Sequence, residues 1–439
     1  MANRIYLCLA HMSEAGLEQK YIQEAFDTNW VAPLGPNVNG FEEDLKAFVG
    51  QGKEVVALTT GTAAVHLSLI ACGVEPGDEV ITQSFTFCAS AHPVTYLGAT
   101  PVFVDSEKET WNMDPDLLEE AIKDRIAKTG KKPKVIMPVA LYGMPYQIDR
   151  ILEIANRYDI PVVEDAAEGF GSRYDGQVLG TFGRYGILSF NGNKMITTSG
   201  GGALICPNKE EGDRVMWYAT QARESYPYYQ HETIGYNYRM SNICAGIGRG
   251  QMTIVNEHIA HHQHVHQLYV ELFSKIDGIE VHSQPANGRY ASNYWLTSIT
   301  IDEGLKIKGQ ENAYKEIITS PVGGVPAVIH AASSARTDCQ PNDNVEALRM
   351  ALEKAGIESR PLWKPMHKQP VYCRTNEKLG MRNEKLSHGI IRQTSATSVA
   401  YVNGVSENIF KKGMCLPAGP WVKDEDVKRI VETIKANII

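Results

Sequence analysis

The chain has 439 residues, 43% apolar and 21% charged, enough to build two or three packed domains. Its net charge of −8 offers no electrostatic reason for a nucleic-acid partner, and no apolar run approaches a membrane span. The eight cysteines, at 8, 72, 88, 206, 244, 339, 373 and 415, form no CxxC pair, and the opening Met1-Ala-Asn-Arg-Ile-Tyr6 lacks the apolar segment of a signal peptide. These features read as reduced thiols in a soluble, cytoplasmic enzyme.

From about 55 to 255, short apolar runs alternate with helical patterns, as in an α/β domain with a mostly parallel sheet. Strands are expected over Glu54–Leu58, Glu79–Thr82, Thr100–Val104, Lys134–Val139, Ile160–Glu164, Tyr185–Phe190 and Gly202–Ile205. Helices are expected over Thr62–Cys72, Pro115–Arg125 and Asp149–Arg157, and Glu75-Pro-Gly-Asp-Glu79 is a turn between elements. The pattern then changes to a long helix, Met252–Ser274, strands around Gly278–His282 and Asn293–Ile301, and a helix near Asn344–Ala355. An N-terminal arm and large domain are therefore placed at 1–255, and a smaller α+β domain at 256–439. An irregular insertion rich in Ser, Gly, Pro and Ala lies near 308–343.

Within this frame, Lys194 follows the apolar run ending at Phe190 and the turn-forming pair Asn191-Gly192, whose residues tolerate positive φ. A lysine on a tight turn, with Gly200-Gly-Gly202 letting another body approach, is placed to capture a carbonyl covalently. That chemistry suggests pyridoxal phosphate, which needs a lysine amine and an acidic partner for its ring nitrogen. Most lysines are nevertheless solvated surface charges. Asp165 closes the apolar run from Ile160, at the strand end where α/β sheets bind ligands. It would serve either as that acidic partner or as a helix N-cap, with Glu168 reaching the same ligand or completing the cap. Thr59-Thr-Gly61-Thr62 joins a strand to a helix, where unpaired amides suit a phosphate or an ordinary Thr cap. Phe85 or Phe87 would stack on a flat ring or fill the core, and Ser189 would face the same crevice.

Taken together, Asp165-Ala-Ala-Glu168, Ser189-Phe-Asn-Gly-Asn-Lys194, Thr197-Thr-Ser-Gly-Gly-Gly202 and Gly235-Tyr-Asn-Tyr-Arg-Met-Ser241 resemble the DegT/DnrJ/EryC1/StrS sugar aminotransferases. The resemblance implies a fold-type I (aspartate aminotransferase-like) α/β enzyme that uses pyridoxal 5'-phosphate. It implies that Lys194 condenses with the cofactor aldehyde, that Asp165 binds the pyridine nitrogen and that Glu168 contacts the ring hydroxyl side. Phe87 would stack on the ring, and Gly61, Thr62 and Ser189 would hold the phosphate. Asn237 would reach the neighbouring subunit's cofactor phosphate, implying a homodimer with shared active sites. Arg239 would meet the sugar nucleotide's negative charge across that interface, and Arg360 and His367 would lie near substrate.

Tyr21-Ile-Gln-Glu24, Ala32-Pro-Leu-Gly35, Gln221-Ala-Arg-Glu224 and Arg360-Pro-Leu-Trp-Lys-Pro-Met-His367 are most similar to one branch of the family. That branch moves the amino group of L-glutamate to UDP-linked 4-keto-6-deoxy-N-acetylhexosamines. Alternatives are a 3-keto-sugar aminotransferase, a sugar dehydratase, or a non-catalytic cofactor-binding regulator. Lysine at 194 favours transamination, since relatives that dehydrate sugars carry histidine there. Leu9-Ala10 stands where close relatives carry Pro-Pro, so the arm differs. Two further features are set apart from the site. His258, His262 and His266 share a helix face, read as solvated or subunit-facing rather than as a metal site. The run Lys128–Lys134 reads as an exposed loop.

Overall fold

The computed structural model describes residues 4–314, 339–373, 382–386 and 389–439. The centre of the expected insertion, 315–338, lies outside the described residues.

The apolar runs of the first half assemble as the alternation requires. Strands Glu79–Gln83, Thr100–Val104 and Val135–Met137 pair in parallel, as do Val163–Asp165 and Tyr185–Ser189. Parallel bridges from Ile136 to Val162 and from Val139 to Asp165 join the two groups. Gly202–Cys206 and Glu54–Leu58 extend the sheet antiparallel on the far side. The Val55–Leu58 side chains are all buried, as expected where helices cover both faces of a sheet. Two expected strands are shortened at their edges: Pro138 has no amide to give a ladder, and the Ile160 run begins pairing at the Val162 bridge, with its strand spanning Val163–Asp165. Asp165 is consequently the last residue of its strand.

Beyond 256, strands Ile279–Val281, Thr297–Ile301, Gly413–Leu416 and Arg360–Pro361 form an antiparallel sheet. Helices Val255–Phe273, Asp343–Lys354 and Asp424–Asn437 share a second apolar core with it. Strand Val399–Val402 leaves this region and pairs in parallel with Thr100–Val104, so chain from beyond 256 completes the large sheet. The expected long helix spans Val255–Phe273 and is preceded by a separate helix, Asn242–Met252, with Thr253-Ile254 between them.

The histidine face corrects the reading given above. His258, His262 and His266 are buried, not solvated. His258 pairs with the Met195 carbonyl, His262 with the Tyr294 carbonyl and His266 with Ser283. Burial pushes all three below the ordinary histidine pKa, so they act as neutral core residues. Among the described residues, no group of three or more His, Cys, Asp or Glu side chains could hold a metal, and no helix is long and apolar enough to cross a membrane. Among the described residues, no disulfide joins the cysteines.

Candidate active site

A cavity of about 1000 Å³ opens at the carboxyl ends of the central strands, where an α/β sheet is expected to bind ligands. Asp165 and Glu168 form its floor. Asp165 is 5% exposed; one carboxylate oxygen accepts the Ser90 hydroxyl at 2.6 Å and the other the Ala167 amide at 3.1 Å. Burial pushes its pKa up against the opposing pull of Ser90, the Ala167 amide and the Lys194 charge. Glu168 is 4% exposed and accepts the Tyr142 amide at 2.7 Å. Burial pushes its pKa up to about 7, even though Lys194 and that amide favour the ionised form. Tyr142 reaches Glu168 from a left-handed backbone (φ 52°, ψ 20°), a conformation a bulky residue adopts only when its surroundings enforce it.

Lys194 lies in the loop between the antiparallel strands Tyr185–Ser189 and Gly202–Cys206, its amide bonded to the Asn191 carbonyl. Positive φ falls at Ser199 (71°), not at Asn191-Gly192 as the dipeptide suggests. The Lys194 Nζ is 3.2 Å from Glu168 Oε1 and 4.0 Å from the centroid of the Trp295 ring. Beside it, helix Gly61–Ala71 begins at the cavity wall. The Thr60 hydroxyl caps the Ala63 amide at 2.9 Å, leaving Gly61 and Thr62 at the end whose amides lack intrahelical partners. Gly202 packs so closely that a Cβ there would stand 2.4 Å from the Gly61 nitrogen, and a Cβ on Gly61 would meet Ser189 at 3.0 Å. These glycines are required by backbone approach, which brings the helix end and Ser189 to one spot.

The mouth has a different composition. Leu7, Cys8 and Leu9 of the arm, Phe87, Trp363 and Arg360 form its walls. Phe87 is 50% exposed and tilted 5.3 Å from Trp363, whereas Phe85 is fully buried, so Phe87 is the aromatic free to cover a ligand. Arg4 is paired with Glu353 at 2.8 Å, and Arg360 with Glu358 at 2.6 Å.

His367 does not line this cavity, and neither do Arg239 and Asn237, which were expected to act across a subunit interface. Arg239 is buried, and its guanidinium is held by both carboxylate oxygens of Glu42 and by the Ala57 carbonyl, so its charge is satisfied inside the chain. His367 is buried with Nδ1 against Ser84 Oγ at 2.5 Å and Nε2 against Glu407 at 3.1 Å. Burial pushes the Glu407 carboxyl up, but His367 and Lys368 outweigh that and hold it at about 2. His367 is thus held in the interior by Ser84 and Glu407, away from the cavity lining. Asn237 is exposed, its backbone bridged to Thr220. Conversely, Ser90, Tyr142 and Trp295 touch the functional groups without any sequence signal to announce them; each acts through one hydrogen bond or ring contact that no spacing encodes.

The donor set fits pyridoxal phosphate. Asp165 is a buried carboxylate whose raised pKa marks an under-compensated charge, the counterpart a protonated ring nitrogen requires. The helix end at Gly61–Thr62 suits a phosphate dianion, and Lys194 lines the same cavity as the amine.

Known proteins agree. The family model described as "DegT/DnrJ/EryC1/StrS aminotransferase family" matches residues 13–319. EpsN of Bacillus subtilis (strain 168), assigned as a pyridoxal phosphate-dependent aminotransferase, is 40% identical over 99% of this chain and 96% of its own. A GDP-perosamine synthase of Escherichia coli O157:H7 is 31% identical over 98% of both chains. The crystal structure of a DegT DnrJ EryC1 StrS aminotransferase from Brucella abortus superimposes with a TM-score of 0.77 at 25% identity, covering 96% of this chain and 95% of that one. The chain belongs to the DegT/DnrJ/EryC1/StrS aminotransferase family, as a fold-type I, pyridoxal phosphate-dependent sugar aminotransferase.

Proposed function

We propose that this enzyme moves the amino group of L-glutamate to the C4 keto carbon of a UDP-linked 4-keto-6-deoxy-N-acetylhexosamine. The product is a 4-amino sugar nucleotide, made in the cytoplasm for surface polysaccharide or glycan synthesis. The observation that carries the reading is the convergence on one cavity of Lys194, Asp165, Glu168 and the Gly61–Thr62 helix end, with Arg360 on its wall. The near full-length likeness to the Bacillus protein supports the sugar-aminotransferase assignment. The segments Tyr21–Glu24, Ala32–Gly35, Gln221–Glu224 and Arg360–His367 support the 4-keto branch.

Pyridoxal phosphate, when bound, supplies an aldehyde that carries the amino group and a ring that accepts electron density from the reacting carbon. Asp165 would hold a proton on the ring nitrogen. Gly61, Thr62 and Ser189 would bind the phosphate, and Phe87 would cover one face of the ring. Lys194 is the proton carrier: its Nζ, fixed by Glu168 and faced by Trp295, would take a proton from the donor carbon and return one to the sugar side. Glu168, with a pKa near neutrality, can hold or release a proton beside that amine. Arg360 would bind the anionic or hydroxyl-rich part of the substrate at the mouth. Asn237, on an exposed segment, would reach the cofactor phosphate of a second subunit, making the working unit a homodimer.

The test is mass spectrometry of products from glutamate, cofactor and a panel of UDP-4-keto, GDP-4-keto and dTDP-3-keto sugar nucleotides. The expected result is an amine from the UDP-4-keto sugar at least about tenfold faster than from the others. An amine formed faster from a GDP- or 3-keto substrate would overturn the substrate assignment. Loss of water without amine would indicate a dehydratase, and no turnover a regulator.

A further inference from the structure

Just before strand Thr297–Ile301, the chain runs through Ser292-Asn293-Tyr294-Trp295. Asn293 and Trp295 fall within the expected strand Asn293–Ile301, but their side chains bond to loops of the large sheet instead. The Trp295 indole N–H donates to the Asn193 carbonyl at 2.6 Å, one residue before Lys194, while the ring lies 4.0 Å beneath the Lys194 Nζ. One side chain thus ties down the lysine's loop and faces its amine. Asn293, fully buried, donates from Nδ2 to the Glu168 carbonyl at 2.8 Å and the Phe170 carbonyl at 2.9 Å. Its Oδ1 accepts the Trp295 amide at 2.9 Å, and its own amide donates to Ser172 Oγ at 2.8 Å. Gly143 (φ +93°) makes room for it: a Cβ there would stand 1.9 Å from Asn293 Oδ1. A buried asparagine with both ends of its amide engaged is fixed in orientation, and the tryptophan bonded to it inherits that fixity.

We propose that Trp295, backed by Asn293, is a positioning residue for the Lys194–Glu168 pair. Its N–H holds the loop, and its ring holds the amine toward the floor by cation–π attraction. The inference rests on the reading of Lys194 as the condensing lysine. A purely structural tryptophan would lower stability and scale every rate alike. A positioning one sets how fast Lys194 reacts in protein that is fully folded.

The experiment uses cofactor-free full-length protein mixed with pyridoxal phosphate and quenched with borohydride at timed intervals. The amine adds to the aldehyde carbon and one water leaves. Hydride then reduces the C=N bond to a secondary amine that peptide mass spectrometry counts. Trp295→Phe keeps a ring and loses the N–H; Trp295→Leu loses both. Trapping at Lys194 should be about tenfold slower in Trp295→Phe and about a hundredfold slower in Trp295→Leu. In steady state, kcat should fall while KM for glutamate stays within about twofold. A Phe variant that traps at the wild-type rate, or a Leu variant no slower than Phe, would overturn the proposal. If the Leu variant does not fold, the Phe comparison decides alone. Wild-type label on another lysine would instead refute the reading of Lys194.

Discussion

The floor and the mouth of the cavity solve opposite electrostatic problems. On the floor, two buried carboxylates, Asp165 and Glu168, share one ammonium, Lys194, and burial raises both of their pKa values. At the mouth, each arginine has its own acid, Arg4 with Glu353 and Arg360 with Glu358, and the guanidinium side chains are each 31% exposed. The floor is left short of positive charge and so suits one fixed, cationic ring. The mouth is self-neutral and part-solvated, where an ion pair is worth about 0–1 kcal/mol and can be exchanged for a substrate group. Cofactor identity should therefore be rigid, and substrate choice adjustable at the mouth.

The largest expected break is at the floor. Lys194→Ala should lower kcat by about 10³-fold or more with the fold intact, measured by single-turnover amine transfer; residual activity within tenfold of wild type would remove the lysine from the chemistry. At the cavity wall, Gly202→Ala would place a Cβ 2.4 Å from the Gly61 nitrogen. Cofactor affinity should drop about tenfold or more by titration, because the helix end must shift away and backbone overlap of this kind costs about 1–3 kcal/mol.

Away from the cavity, Arg239→Ala should act on stability rather than on KM. It leaves Glu42 buried without its counter-charge, held only by the Ala57 amide, which costs about 3–5 kcal/mol on urea unfolding. A changed KM for the sugar nucleotide at unchanged stability would return Arg239 to the substrate. At the mouth, Arg360→Ala should raise KM for the sugar nucleotide about tenfold with kcat nearly unchanged, the pattern of uniform binding.

A separate effect is one of pH. The Glu168 pKa is raised from 4.5 to about 7 in the folded, cofactor-free protein. Between those values the folded state holds a proton that the unfolded state has lost, so the group's contribution to stability falls as pH rises through that window. Glu168→Gln should remove that slope, and urea midpoints at pH 5 and pH 8 measure it. A variant whose midpoints change with pH as much as wild type would show that Glu168 is not the source.

How much of this was legible in the sequence follows from where each partner sits. Asp165 and Ser189 end the paired strands Val163–Asp165 and Tyr185–Ser189, Lys194 lies in the loop that follows, and Gly61 opens the helix after strand Glu54–Leu58, so local apolar patterning and turn chemistry place them at one end of the sheet. Arg239 and His367 look the same in a motif whether free or buried. What decides is Glu42, 197 positions from Arg239, and Glu407, 40 positions from His367. Strand Val399–Val402 went unread because its apolar run is short and buried on both sides, with no alternation to mark it. The histidines of helix Val255–Phe273 were misread because polar residue type suggests solvent, whereas main-chain carbonyls of Met195 and Tyr294 satisfy two of them in the core.

The central claim is that Lys194 is the amine that holds the cofactor above the Asp165 carboxylate. Borohydride reduction of the loaded enzyme, followed by peptide mapping, tests it most directly. The account predicts a phosphopyridoxyl group on Lys194. Label on a different lysine, or a loaded enzyme that yields no reduced adduct, would contradict it.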